Sequence, residues 1–395
     1  MKNTISKSEF LFWLAYVPYL SFFILECSLY KELPMFYIIQ KIVRYCTYLL
    51  LLLKILYDMK LQKKSLFQIA LVVVCLMGSA IWAGEKLMLF TFLYMITSYN
   101  IKFDNIIKNS FWIHVLWMSI IIGGCVIGLL DNRVYEEGAR IRYSLGYSYT
   151  TTSSNFFMHM IFMYVYWKKE KITWVSIVFI EFINLLLYKY TDTKMAFLMG
   201  TLVLLASAIL KVGKEFREKY TTFGRILPFS VPVFAIGSVW AAIRFDENSR
   251  FWSKANSLLN SRLEMGNNAY HKYGLSLFGN KVIWTGYTKY ETNLSAGQTY
   301  NYVDSSYMQL AVQYGLIFLC IICLYYFLML RKSIQLNDIY MGMVIFVIIL
   351  HGCTDPQLAW LSYNPFLLGF FYLKYNGCKD GLVDKQKEYK YKMEN

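Results

Sequence analysis

Apolar runs follow one another along this chain, parted by polar intervals. They fall near residues 10–30, 35–57, 66–83, 87–101, 109–130, 152–167, 172–189, 195–211, 223–243, 306–330, 339–352 and 358–373. A helix that crosses a bilayer needs roughly 20 apolar residues, so the pattern predicts an all-α polytopic membrane protein with about twelve spans. The run at 87–101 is short, and the run at 339–352 ends on His351-Gly352. The second run carries Lys41, Arg44 and Lys54, so one stripe of it faces protein, a cavity or lipid headgroups. The first run is too long for a signal-peptide core and no small-residue cleavage site follows it, so it is expected to remain as a span.

One polar interval in the second half is long. It opens with Arg244, Asp246, Glu247 and Arg250, passes through Ser-Arg-Leu-Glu at 261–264, His271 and Phe278-Gly279, and closes on Asn301-Tyr302-Val303-Asp304. Apolar runs flank it, so it sits at a membrane surface. Within it, 263–277 reads as an amphipathic helix suited to lying on the outer leaflet. The expected organisation is therefore about nine spans over 1–243, with short external loops at 131–150 and 189–194. A large extracytoplasmic loop over 244–305, about three further spans over 306–373 and a basic tail over 374–395 complete it.

Composition agrees: 57% of residues are hydrophobic, 18% aromatic and 16% charged. The net charge of +15 would suggest nucleic acid in a soluble protein, but Lys and Arg enrich the cytoplasmic loops of membrane proteins, and no nucleic-acid partner is expected. Alternate loops collect Lys60-Lys63-Lys64, Lys102-Lys108, Lys168-Lys169-Lys171, Lys211-Lys214-Arg217-Lys219, Arg331-Lys332 and the tail. The other set is poorer in cations, which places both termini in the cytoplasm. The loops 131–150, 189–194, 244–305 and 353–357 then share the outer face. Six of the eight cysteines lie inside apolar runs, where they act as small buried hydrophobes, so no disulfide framework is implied.

The polar residues of the outer face are the candidates for chemistry. Arg140 and Arg142 precede Tyr143 and Ser144, and arginine forks match phosphate oxygens; interfacial snorkelling is the alternative. Asp192 and Lys194 crowd a tight turn between two spans, either paired with each other or facing a cavity shared with the arginines. Arg244, Arg250 and Arg262 add cations to the long loop. His271 is either a plain interfacial residue or a base. Asp304 sits where the loop re-enters the membrane, as a helix N-cap or as a carboxylate placed to take a proton from a hydroxyl. Neither a phosphate-cradling Gly loop nor a His/Cys metal cluster is present in the sequence. With nucleotides confined inside the cell, outer-face chemistry needs a substrate that arrives activated, such as a lipid-linked diphosphate sugar.

The order Arg-x-Arg with Ser-Leu-Gly, Tyr-Thr-Asp-Thr-Lys, Ser-Arg-Leu-Glu, Phe-Gly and Val-Asp-Ser-Ser-Tyr-Met-Gln-Leu-x-x-x-Tyr-Gly-Leu resembles the Wzy-type polysaccharide repeat-unit polymerases, over about residues 130–320. The resemblance implies a GT-C-like, inverting, metal-independent glycosyltransferase of the bacterial plasma membrane without cofactor. It would join undecaprenyl-diphosphate-linked oligosaccharides, alongside membrane lipid, a flippase and a chain-length-regulating co-polymerase. The residues carried over are Asp304, Arg262 and Asp192 for catalysis, Arg140, Arg142, Lys194, Arg244 and Arg250 for the diphosphate, and His271 and Tyr302 for the acceptor. Lys194 stands where relatives often have Arg. Asp304 stands where the related O-antigen ligases tend to show a His-Asn pair, a departure that argues against a ligase. A ligase, a flippase or exporter of the same lipid-linked glycan, and a structural assembly subunit are the alternatives.

Overall fold

A computed structural model of the chain describes residues 6–58, 77–78, 81–84, 87–137, 140–285 and 300–374. Its main helices, in order, are α1 (Lys7–Glu26), α2 (Phe36–Asp58), α3 (Leu87–Thr97), α4 (Phe103–Val126), α5 (Thr150–Lys168), α6 (Trp174–Thr191), α7 (Lys194–Val212), α8 (Ser230–Ile243), α9 (Arg250–Leu258), α10 (Arg262–Tyr273), α11 (Ser306–Gln309), α12 (Leu316–Gln335) and α13 (Ile339–His351). Among the described residues, seven helices are long and apolar enough to cross a membrane. They are α1, α2, α4, α6, α7, α8 with its leading turns from Tyr220, and α12; α13 is a shorter apolar helix. Side chains such as Val175, Val178, Phe179 and Phe182 on α6 are exposed, as expected of a face meant for lipid. The architecture is that of a mostly helical membrane protein. The expected span at 66–83 and the tail lie mostly or wholly outside the described residues.

Helix α5 is the centre of the bundle. It packs on α4, α6, α7 and α13, and nearly every side chain from Thr150 to Tyr166 is buried. It is less apolar than the seven because its first turns read Thr-Thr-Thr-Ser-Ser-Asn. Such a polar start inside a core needs partners supplied by its neighbours.

Two of the expected spans take another form. The run at 306–330 breaks at Gly315: α11 and a π-type turn over Leu310–Tyr314 form a short buried piece, and α12 starts beyond it. The run at 358–373 traverses the bundle without a long helix, as 3₁₀ turns Pro356–Ala359 and Pro365–Leu368 and a five-residue helix Phe370–Lys374. Irregular backbone at membrane depth is tolerated only where protein buries it and satisfies its polar groups. Here the neighbours do so. Tyr326 donates to the Leu358 carbonyl (2.7 Å), Tyr325 to Phe366 (2.7 Å) and Ser98 to Leu368 (3.1 Å), while His114 Nε2 meets the Ser362 carbonyl at 2.8 Å. Prolines 356 and 365 remove donors that a helix would have used.

The long loop is clipped onto the break at Gly315. Leu316 N and Ile317 N, free donors at the start of α12, donate to Ser276 O (3.0 Å) and Leu277 O (3.2 Å). In return Asn280 Nδ2 donates to Val312 O (2.9 Å). Gly279 (φ +91) and Gly315 (φ +93) lie back to back; a Cβ on Gly315 would meet Gly279 N at 2.4 Å. The loop helix at 262–273 forms as α10, but instead of resting on a free leaflet it docks across the end of α8, where Asn267 Nδ2 caps the Ala242 carbonyl at 2.9 Å.

Gly315→Ala adds both a strained positive φ and this clash, and should cost about 3 kcal/mol or more. Gly237→Ala on α8, with open space around its Cβ position, should cost nothing. Thermal unfolding midpoints in lipid nanodiscs check this; equal midpoints for the two variants would contradict the clip.

Candidate functional site

Four chain segments meet at one end of the bundle: the start of α5, the end of α6, the stretch Tyr302–Ser305 with α11, and the turn after α13. Ser306 knits the last two. Its backbone N donates to Gly352 O (2.9 Å), its hydroxyl bonds the Asp355 carbonyl, and it accepts from Leu358 N (3.1 Å).

Arg262 is the first residue of α10 and reaches across to this junction. Its Nε donates to Thr354 O at 2.6 Å and Nη1 to Leu259 O at 3.1 Å, while Nη2 lies 3.7 Å from Asp304 Oδ2. The carbonyl of Thr354 follows the C-terminus of α13, where a cation is favoured by the helix dipole. Asp304 does not cap the following helix; Ser305 does, accepting from Met308 N. The Asp304 carboxylate therefore faces Arg262 and keeps a partly open edge, its side chain 31% exposed.

A second carboxylate completes the group. Asp355 Oδ2 accepts from Asn155 Nδ2 on α5 at 3.2 Å and lies 4.0 Å from His351 Nε2. Burial, and then the Asp304 charge, push its pKa up to about 8, against the pull of Arg262 and the Asn155 amide. Asp304 is also raised by burial, with Arg262 holding it down. Two neighbouring carboxylates cannot both ionise cheaply, so one keeps a proton near neutral pH. The arrangement offers a carboxylate beside a guanidinium and a protonated carboxyl within one site.

The hairpin β1 (Val134–Glu137) and β2 (Arg140–Tyr143) shapes the side nearest α6. Residues two apart on a strand share a face, so Arg140 and Arg142 both turn to the α6 terminus. Arg140 Nε bonds Asp192 Oδ2 at 2.6 Å, and Arg142 Nε donates to Thr191 O at 3.0 Å. Arg142 is buried, 5.8 Å from the centre of the Tyr149 ring. Ser154 on α5 bonds Thr191 at 2.7 Å, and the Tyr300 phenol, raised by burial, feels both Asp304 and Tyr149.

Of the residues expected from the sequence, Arg262, Asp304 and Tyr302 converge here, and Arg142 is buried at the α6 end of the site. Tyr302 is buried beneath Asp304 and stacks edge-on with Trp284. The others stand apart. Asp192 caps α6 in a left-handed conformation and pairs with Arg140, not with Lys194, so both members of that pair are rim structure. Lys194, Arg244, Arg250 and His271 are exposed, because α9, the open side of α10 and the start of α7 face away from the junction. Asn155, His159, His351 and Asp355 were not anticipated. For Asn155, His159 and His351 the signal was an ionisable or amide residue inside an apolar run, which is costly enough to mark a site; Asp355 lies in the short turn between two runs.

Next to Arg262 a cavity of about 230 Å³ opens between α8 and α10, walled by apolar side chains including Val233, Phe234, Leu263 and Met308. No protein family, curated protein or solved structure matches this chain. Function is therefore read from the site itself.

With Asp355 protonated in the fold and ionised in the unfolded chain, its contribution to stability is full below about pH 4 and is lost as the pH rises through about 8. Asp304 adds to the same slope. Asp355→Asn should flatten the fall of the thermal midpoint over this window, removing up to about 1.4 kcal/mol per pH unit. An unchanged slope in pH-resolved unfolding would contradict the assignment.

Proposed function

We propose that the chain is a polymerase that joins oligosaccharide units carried on undecaprenyl diphosphate, at the outer face of a bacterial plasma membrane. The observation that carries this reading is the convergence of Arg262, Asp304 and Asp355 at one end of the bundle, beside an apolar cleft between α8 and α10. The first isoprene units of a polyprenyl tail fit such a cleft, and the diphosphate at its head then meets Arg262.

In the reaction, a hydroxyl of the acceptor's terminal sugar attacks the anomeric carbon of the donor chain. Asp304 takes the hydroxyl proton, the bond from that carbon to the diphosphate oxygen breaks, and undecaprenyl diphosphate departs. Guanidinium groups hold the charge that develops on the leaving oxygen. Asp355, carrying a proton, donates a hydrogen bond instead of competing for one. A single displacement of this kind inverts the anomeric centre.

One observation favours a second reading. Broken helices and buried polar groups at a binding site are features of carriers, and residues 352–369 together with α11 have that form. A flippase of the same lipid-linked unit is therefore the competing proposal.

Asp304→Asn and Arg262→Ala should each lower polymer formation about 100-fold or more, leaving single repeat units at the cell surface. Arg250→Ala and His271→Ala, on exposed positions, should leave chain length as it was. Full-length polymer from Asp304→Asn at ordinary expression would overturn the catalytic assignment; single units retained inside the cell would support the flippase.

A further inference from the structure

Beneath Asp355 lies a group of polar side chains that the reaction above does not use. Thr152, Asn155 and His159 recur along α5 at the spacing that aligns one face of a helix. They look toward the turn holding His351, Asp355 and Gln357. His159 and His351 are 1% and 2% exposed, with ring centres 6.2 Å apart, and the Gln357 side chain lies beside the His159 ring. Thr152 Oγ1, Asn155 Oδ1 and His351 Nε2 are sealed from solvent without a hydrogen bond, and among the described residues the His159 ring is met by the Gln357 side chain alone.

Buried polar groups are ordinarily satisfied, and a concentration of unsatisfied ones is a mark of a site whose partner comes from outside the chain. The contrast within the bundle is direct. His114, equally buried, has both nitrogens engaged, by the carbonyls of Ser110 (2.7 Å) and Ser362 (2.8 Å). The unsatisfied groups are hydroxyl, amide and imidazole, which suit the hydroxyls of a neutral ligand and not a phosphate. The aromatic ring of Tyr363 flanks them, 6.0 Å from His159.

We propose that the Thr152–Asn155–His159 face of α5 and the 351–357 turn form a closed subsite for a neutral polyhydroxylated group, the sugar end of a substrate, which enters when α5 and the turn move apart. The subsite deepens the polymerase reading and rests on it for the identity of that substrate. It places the sugar against Asp355 and within reach of Asp304, on the opposite side of the carboxylates from the apolar cleft. Water hydroxyls have the same chemistry, so the test separates the two sources.

The chain has four histidines, and they supply the probe. Full-length protein in nanodiscs is treated with diethyl pyrocarbonate, and each histidine is followed by peptide mass spectrometry. Exposed His271 is the fast reference and His114 the sealed control. His159 and His351 should react at rates well above His114, reporting local opening. Oligosaccharide fragments cut from the surface polysaccharide of the producing cells, and separately N-acetylglucosamine, glucose and galactose, are then added. A sugar at ten times its Kd should slow both residues about ten-fold and leave His271 unchanged. Two outcomes overturn the proposal: His159 and His351 as inert as His114, or reactive and protected by none of these sugars, which is a chamber for water only. The glycan profile of a strain lacking the protein reports separately on the polymerase reading, so sugar protection with an unaltered profile would sink that reading and leave the subsite standing.

Discussion

A bilayer offers no hydrogen bonds to the peptide group, and this single constraint governs how the chain can traverse its bundle between His351 and Phe370 without a long helix. The segment stays because Tyr325, Tyr326, His114 and Ser98 supply hydrogen-bond donors to its carbonyls. Those residues come from α4, α12 and the turn after α3, so the irregular crossing needs several helices in place at once. The return for this arrangement is a turn, 352–357, that lies inside protein and is not obliged to follow helical geometry. Only such a turn can aim Asp355 at α5 while presenting the Thr354 carbonyl to Arg262.

Arg262 then joins the loop to the core. Its guanidinium touches Thr354 of the turn, Leu259 of its own loop and Asp304 at the re-entry point. Removing a buried charge of this kind leaves its partner uncompensated, which costs more than the pair contributes when intact. The clip at Gly279 and Gly315 fixes the other end of the same loop. Between these two anchors the protein holds a cation, two carboxylates with separated proton affinities and an apolar cleft in one neighbourhood. That combination suits a substrate with a greasy tail, a charged head and a hydroxylated end.

Much of this was legible in the sequence, and the misses have physical causes. Spans such as Trp174–Thr191 and Lys194–Val212 followed directly from hydropathy, because length and apolarity are all that a lipid-facing helix requires. Asp304 and Tyr302 stood out where the long loop re-enters an apolar run, and Arg262 as one of the cations within that loop. The hairpin at 134–143 was invisible because four-residue strands carry too little alternation to register, yet it decides that Arg140 and Arg142 face the same way. The non-helical crossing was equally hidden, since hydropathy reports depth and not backbone form. Asp192 was expected to pair with Lys194 or to face a shared cavity; it ends α6 in a left-handed conformation and pairs with Arg140, a partner set by the hairpin.

The most direct measurement is reconstitution of the purified full-length chain in liposomes with lipid-linked repeat units taken from cells lacking it, without nucleotide sugars. A polymerase should yield a ladder of polymers with release of undecaprenyl diphosphate. Movement of units across the bilayer with no new glycosidic bond would contradict the polymerase reading.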